Sequence, residues 1–163
     1  FNLDKISKRI HEVVLKRSIL QSNDILFSIA GTIGRVAVVT NEMRDCNCNQ
    51  AIAFMRLKEK ASHLNFIRLN LQSKKIQQKV ESKIVQGVQA NVSLAALGEL
   101  EVILPSNGVL KAFNKIITPL WEQQVLITKS NQYLGQLRDT LLPKLLSGEI
   151  TLPEAEQIIS EEA

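Results

Sequence analysis

LKAFNKIITPLWEQQVLITKSNQYLGQLRDTLLPKLL, residues 110–146, is the stretch that decides the fold. Stepping by three and four from Leu110 gives Phe113, Ile117, Leu120, Gln124, Ile127, Asn131, Leu134, Arg138, Leu141 and Leu145. Apolar residues at that spacing line one face of an α-helix, and over about five heptads they make a coiled-coil-like seam. Its pairing residues are Leu110, Phe113, Ile117, Leu120, Ile127, Leu134, Leu141 and Leu145. Gln124, Asn131 and Arg138 interrupt the seam; such residues lower stability but fix register and partner orientation. About 35 helical residues make a rod of roughly 50 Å, longer than the preceding domain is wide. The alternative is a helix packed on its own domain, with the polar members at its rim. Pro119 removes a backbone donor and should bend or break the rod. Ser106 or Asn107 can cap its start, and Pro143 and Gly148 mark its end.

Upstream the periodicity changes. Asp24-Ile25-Leu26-Phe27-Ser28-Ile29 reads as a buried strand, Gly31 and Gly34 as a turn, and Arg35 to Thr40 as a returning strand. Asn41 to Asn49 is polar and loop-like. Gln50 to Leu57 alternates as a third strand. From Leu64, apolar residues at helical spacing predict one or two helices ending before Gly87. A loop, Gly87 to Asn91, leads through Val92-Ser93 and a small turn to a last strand, Glu99 to Leu104, closed by Pro105. The expected fold is α+β: a small mixed-sheet domain over 1–106, one long coiled-coil-type helix over 107–148, and a solvated C-terminal tail over 149–163.

Charge separates the same parts. Residues 1–110 hold 15 Lys and Arg against 9 Asp and Glu, whereas residues 111–163 hold 5 against 7. The basic surplus on the first part favours a partner carrying phosphate. Aromatic residues are only 4%, too few for a platform that stacks single-stranded bases. Cys46 and Cys48 supply two ligands where a tetrahedral zinc site needs about four, and His11 and His63 lack ligand spacing. No metal site is expected, and both thiols should be free, as in a reducing cytosol. No apolar run approaches the roughly 20 residues that span a bilayer, and no signal-peptide pattern opens the chain. A cytoplasmic protein with no membrane partner is expected.

Leu137-Arg138-Asp139-Thr140-Leu141-Leu142-Pro143-Lys144-Leu145-Leu146-Ser147-Gly148-Glu149-Ile150 closely resembles the close of the long helix in specificity subunits of type I restriction-modification systems. Asp24-Ile25-Leu26 with Gly31 and Gly34, Asn49-Gln50-Ala51-Ile52, Gly87 to Ser93, Leu100 to Pro105 and Phe113-Asn114-Lys115-Ile116 resemble further family elements in their order. The resemblance covers roughly residues 20 to 151. It implies a target-recognition domain that binds double-stranded DNA and reads one half of a split site. It also implies a helix that sets half-site spacing, and partners: methyltransferase (modification) subunits and a restriction motor and nuclease subunit. A complete subunit carries two recognition domains and two antiparallel helices. One of each here points to a C-terminal half, or to a half-subunit that pairs with a second recognition half or as a homodimer. Paired recognition domains should face one duplex about one turn apart, on the order of 34 Å.

Arg and Lys read guanine edges, and Asn and Gln read adenine edges, through paired hydrogen bonds. Arg35, Arg44, Asn47, Gln86, Gln89 and Asn91 lie in polar loops and are the candidate base readers. Lys16, Arg17, Lys58, Lys74, Lys75, Lys79 and Lys83 are the candidate phosphate contacts, which set register and salt-dependent affinity. No catalytic residue and no cofactor is expected. The sequence lacks a Pro-Pro pair for an adenine methyltransferase motif, a phosphate-binding Gly-x-x-x-x-Gly-Lys loop, and a nucleophile–His–acid set. The rival to DNA binding is a non-catalytic protein-interaction module that assembles a complex through its coiled coil.

Overall fold

The computed structural model describes residues 4–85 and 90–162. The chain divides into two compact units, Phe1–Lys115 and Ile116–Ala163.

The first unit is built on a three-stranded antiparallel sheet of β1 (Ile25–Ser28), β2 (Val36–Val38) and β3 (Ile52–Met55), in the order β2-β1-β3. Ile25 pairs with Val38 on one side and with Met55 on the other, which makes β1 the central strand. Its register puts Ile25 and Phe27 on one face, and both are buried. They meet Ile67 and Leu71 from α1 (Lys60–Gln72), Ile76 and Val80 from α2 (Lys74–Glu81), and Val92. Fully burying each such side chain contributes about 1.5–3 kcal/mol.

Ser73 explains why one helical pattern becomes two helices. Its backbone is extended, and its hydroxyl accepts a hydrogen bond from the Ile76 N–H, capping α2. Ser93 caps α3 (Leu94–Gly98) in the same way through the Ala96 N–H. The small turn expected after Ser93 is therefore a short helix. The strand expected at Glu99 to Leu104 is absent: residues 101–106 carry no regular structure. The Glu99 and Leu100 amides instead bond back to Ala95 and Leu97, closing α3, and Ile103 is 85% exposed. An apolar stretch without a ladder partner does not make a strand.

α4 (Asn107–Ser147) runs for 41 residues, about 60 Å at 1.5 Å per residue. Its first turns belong to the first unit: Leu110 is buried, Phe113 packs edge-to-face on Phe66, and the Asn114 amide donates to the Ser62 carbonyl at 2.7 Å. The expected break at Pro119 does not occur, since the helix continues through Pro119 and Pro143. Each proline removes one donor from a long ladder whose other bonds hold the turn.

In the second unit, α4 ends at Gly148, whose φ of +74° suits glycine. The Gly148 and Glu149 amides reach back to Leu145 and Lys144, capping the last carbonyls. Residues 149–163 are not only a solvated tail, because they contain α5 (Leu152–Glu162). The Glu154 carboxylate accepts hydrogen bonds from the Thr151 backbone N–H and hydroxyl, a capping arrangement that starts the helix. Those two bonds also draw the Glu154 acid below its usual range. Leu141 and Ala155 are buried in this unit.

Candidate nucleic-acid interface

The β1–β2 turn carries Arg35 and is fixed from several sides. The Ser28 N–H donates to the Arg35 carbonyl, its carbonyl accepts from the Gly34 N–H, and its hydroxyl accepts from the Arg35 N–H at 2.9 Å. The same hydroxyl donates to the Thr32 carbonyl. From α2, the Gln77 side-chain amide donates to the Gly34 carbonyl at 3.0 Å and to the Leu71 carbonyl at 2.7 Å. Gly34 has φ +90°, and a Cβ there would lie 2.3 Å from the Gln77 Oε1. From the other side, Val92 N–H donates to the Ile29 carbonyl, and Asn91 bridges to Ala30 and Val85.

This convergence involves two groups of expected site residues. Arg35 and Asn91 flank the turn with exposed side chains. On α2, Lys74, Lys75 and Lys79 are exposed, while Ile76 and Val80 point into the core. At 100° per residue Lys74 and Lys75 fall on the arc facing away from those two, whereas Lys79 lies on the flank, about 60° from Ile76. Lys74 and Lys75 occupy the first turn, which has no acidic residue, so they sit against the positive end of the helix dipole. Gln86 and Gln89 lie outside the described residues; Val85 and Ala90 flank them.

Other expected residues stand elsewhere. Lys16, Arg17 and Arg44 are exposed and belong to a second group, tied together by Leu20–Cys46 and Asp45–Leu20 backbone bonds. Asn47 sits there too, but its side chain is engaged within the fold. Its amide donates to the Leu15 carbonyl and the Ser18 hydroxyl, each at 3.0 Å, and its oxygen lies 2.6 Å from His11 Nδ1. Lys58 is exposed between β3 and α1. Lys83 pairs with Glu99, whose acid this hydrogen bond lowers.

One cluster was not foreseen. Asp24 is fully buried and takes a two-pronged contact from Arg56, Nε to Oδ1 at 2.9 Å and Nη2 to Oδ2 at 2.7 Å. The Gln21 N–H also donates to it, and Lys60 Nζ lies 3.9 Å away. Burial pushes the Asp24 acid up, but the Arg56 bond, the Gln21 bond and the two nearby cations outweigh it and hold it below the usual range. The same bond holds Arg56 more firmly protonated. Arg56 also donates to the Ile19 carbonyl and Lys60 to the Ser22 carbonyl, so the cluster fastens the chain entering β1. Only the Asp24 position, one residue before a buried strand, hinted at it in the sequence.

Along α4 the seam divides. Leu110 and Leu141 are buried, and Phe113, Ile117 and Leu145 are half-buried. Leu120, Ile127 and Leu134 are 56–58% exposed. Cys46 and Cys48 are free thiols, and burial pushes the Cys48 thiol up. Among the described residues, no three His, Cys, Asp or Glu side chains form a metal-binding group. No helix among them is long and apolar enough to cross a membrane.

Residues 8–136 match the family model of the type I restriction modification DNA specificity domain. The chain belongs to this family. The match takes in the glycine turn, α2 and most of the α4 seam. Among curated members of the type I family, the chain is 24% identical over 132 residues to the HindI specificity subunit of Haemophilus influenzae, covering 80% of this chain and 28% of that one. It is 25% identical over 154 residues to the EcoBI specificity subunit of Escherichia coli, covering 92% and 32%. The chain thus spans about a third of the length of these specificity subunits. A solved type I S subunit from M. genitalium has the same fold, with a TM-score of 0.57 at 21% identity, over 80% of this chain and 34% of that one.

Proposed function

We propose that this chain is the non-catalytic, DNA-reading part of a type I restriction-modification specificity subunit. The match of residues 8–136 to the DNA specificity domain carries this proposal. The relatives are named specificity subunits of type I restriction enzymes, and the same role is proposed here. Arg35 and Asn91 are the favoured base readers, because they project beside a turn held by Ser28, Gln77 and Val92. A rigid donor discriminates bases better than a mobile one. Lys74, Lys75 and Lys79 contact phosphates along the same side of the duplex, and Lys16, Arg17, Arg44 and Lys58 supply outlying contacts.

The exposed Leu120, Ile127 and Leu134 pair with a second helix, from another recognition half or a second copy. That pairing holds two reading heads at a fixed separation on a split site, and the paired helices dock the methyltransferase subunits. Adenine methylation and DNA cleavage take place on those other subunits. The test is binding of the 163-residue chain to a 20-base-pair duplex between 50 and 200 mM salt. Phosphate contacts release counterions, so affinity should fall steeply across that range. Salt-indifferent binding, or none, would favour a protein-interaction module instead.

A further inference from the structure

The Gln77 carboxamide does more than pack α2 on the sheet. Its one nitrogen donates to two carbonyls, Leu71 at the end of α1 and Gly34 in the β1–β2 turn. Gly34 is the residue before Arg35, and its lack of a Cβ leaves room for the Gln77 oxygen. Gln77 also lies on α2 one turn after the exposed Lys74, about 60° from it around the helix, with Lys75 and Lys79 on the far flank. One side chain therefore ties the backbone from which Arg35 emerges to the helix that carries the lysines.

We propose that Gln77 is a positioning residue that fixes Arg35 relative to the α2 lysines, so that phosphate contact and base contact occur in one register. The inference rests on the DNA-reading function above. It gives Gln77 an effect separate from affinity. With the latch intact, lysines seated on phosphates deliver Arg35 to one base pair. With the latch cut, the lysines still seat, but the Arg35 turn adjusts independently and accepts other bases at that position. Ser28 holds the turn to its own hairpin but does not reach α2, so it cannot replace Gln77 in this coupling.

The experiment uses the whole chain with a pool of 20-base-pair duplexes randomised at the centre, followed by selection and sequencing. Gln77→Met keeps the length and removes both donors; Gln77→Glu keeps the shape and places a carboxylate against two carbonyls. Arg35→Ala identifies the base position that Arg35 reads. Both Gln77 variants should lose about tenfold in discrimination at that position alone, with the salt slope on random duplex unchanged. Gln77→Met serves as the folded control and should keep a cooperative melt. If Gln77→Met retains parental preference, or loses preference equally at all positions, the positioning role is wrong. If Arg35→Ala itself changes no position, the assignment of Arg35 as a reader fails, and the Gln77 role fails with it.

Discussion

Lys74, Lys75 and Lys79 can be removed without touching the core, which makes them the cleanest probe of the proposed phosphate-contacting face. Ile76 and Val80, 2% and 1% exposed, anchor α2 to the core, and the Ser73 cap lies before the lysines. Glutamine has nearly the helix propensity of lysine. Two of the three lysines stand at the positive end of the helix, so their replacement should leave stability unchanged or raise it slightly. For B-DNA the slope of log K against log salt is about −0.9 per neutralised phosphate, so the triple Lys→Gln variant should flatten the slope by about 2.7. Between 50 and 200 mM salt that difference amounts to about 40-fold in relative affinity. Fluorescence anisotropy on a labelled 20-base-pair duplex across five salt concentrations reads the slope directly. A triple variant that melts like its parent and keeps the parental slope would show that α2 does not face the backbone of DNA.

Other perturbations test the parts that hold this face in place. Arg56→Met leaves the buried Asp24 carboxylate without its main partner and should destabilise the first unit by about 3–5 kcal/mol in a urea melt. Asp24→Asn should do less harm, because the abandoned Arg56 side chain is 37% exposed and water can reach it. Asp24 is acidified in the folded protein, so its contribution is complete above the unfolded carboxylate value of about 3.9 and is lost as pH falls through the lower folded value. Asp24→Asn should therefore remove part of the acid limb of the stability curve; an unaltered limb would mean that the pair does not govern it. Gly34→Ala forces a Cβ to 2.3 Å from Gln77 Oε1 at φ +90° and should cost about 1–3 kcal/mol. Adding Gln77→Ala should recover part of that loss, and full recovery would show that the backbone carries no strain. Ile127→Glu with Leu134→Glu should shift the chain toward monomer in sedimentation while α4 stays helical, whereas an unchanged self-association would place the pairing surface elsewhere.

Long-range periodicity was legible from sequence, and long-range polar pairing was not. The α4 seam repeats over many turns, so a single proline could not hide it, although Pro119 suggested a break that its neighbours prevent. The β1–β2 hairpin was legible because two glycines separate two apolar runs. Asp24 and Arg56 lie 32 residues apart, and each alone looks like an ordinary surface charge beside a strand. Asn47 looked like a loop reader for the same reason: nothing local reveals that Leu15, Ser18 and His11 surround its carboxamide. Glu99 to Leu104 failed differently. Its apolar residues before Pro105 are strand-like, but its first two amides are used by α3. The start of α5 carried a readable signal in Thr151 and Glu154, three residues apart, which a net acidic tail obscured.

The first unit sorts its polar side chains into two classes. Asp24, Arg56, Lys60, Asn47 and Gln77 are used up in contacts that join segments distant in sequence. Each satisfies backbone or charge that burial would otherwise leave exposed to a low-dielectric interior, where an unmade hydrogen bond costs about 1–3 kcal/mol. Arg35, Asn91, Lys74, Lys75 and Lys79 are the complement: exposed, on or beside the turn and the helix that Gln77 joins. A surface meant only for solubility needs no such anchoring, since a solvated lysine works equally well on a mobile loop. Fixed placement matters when several donors must meet a partner whose charges are themselves regularly spaced. Duplex DNA is such a partner, with one negative charge for about every 1.7 Å of helix axis. The fixed placement of the glycine turn and α2 therefore supports the proposed sequence reading more directly than the net charge does, because a net charge alone would attract any polyanion.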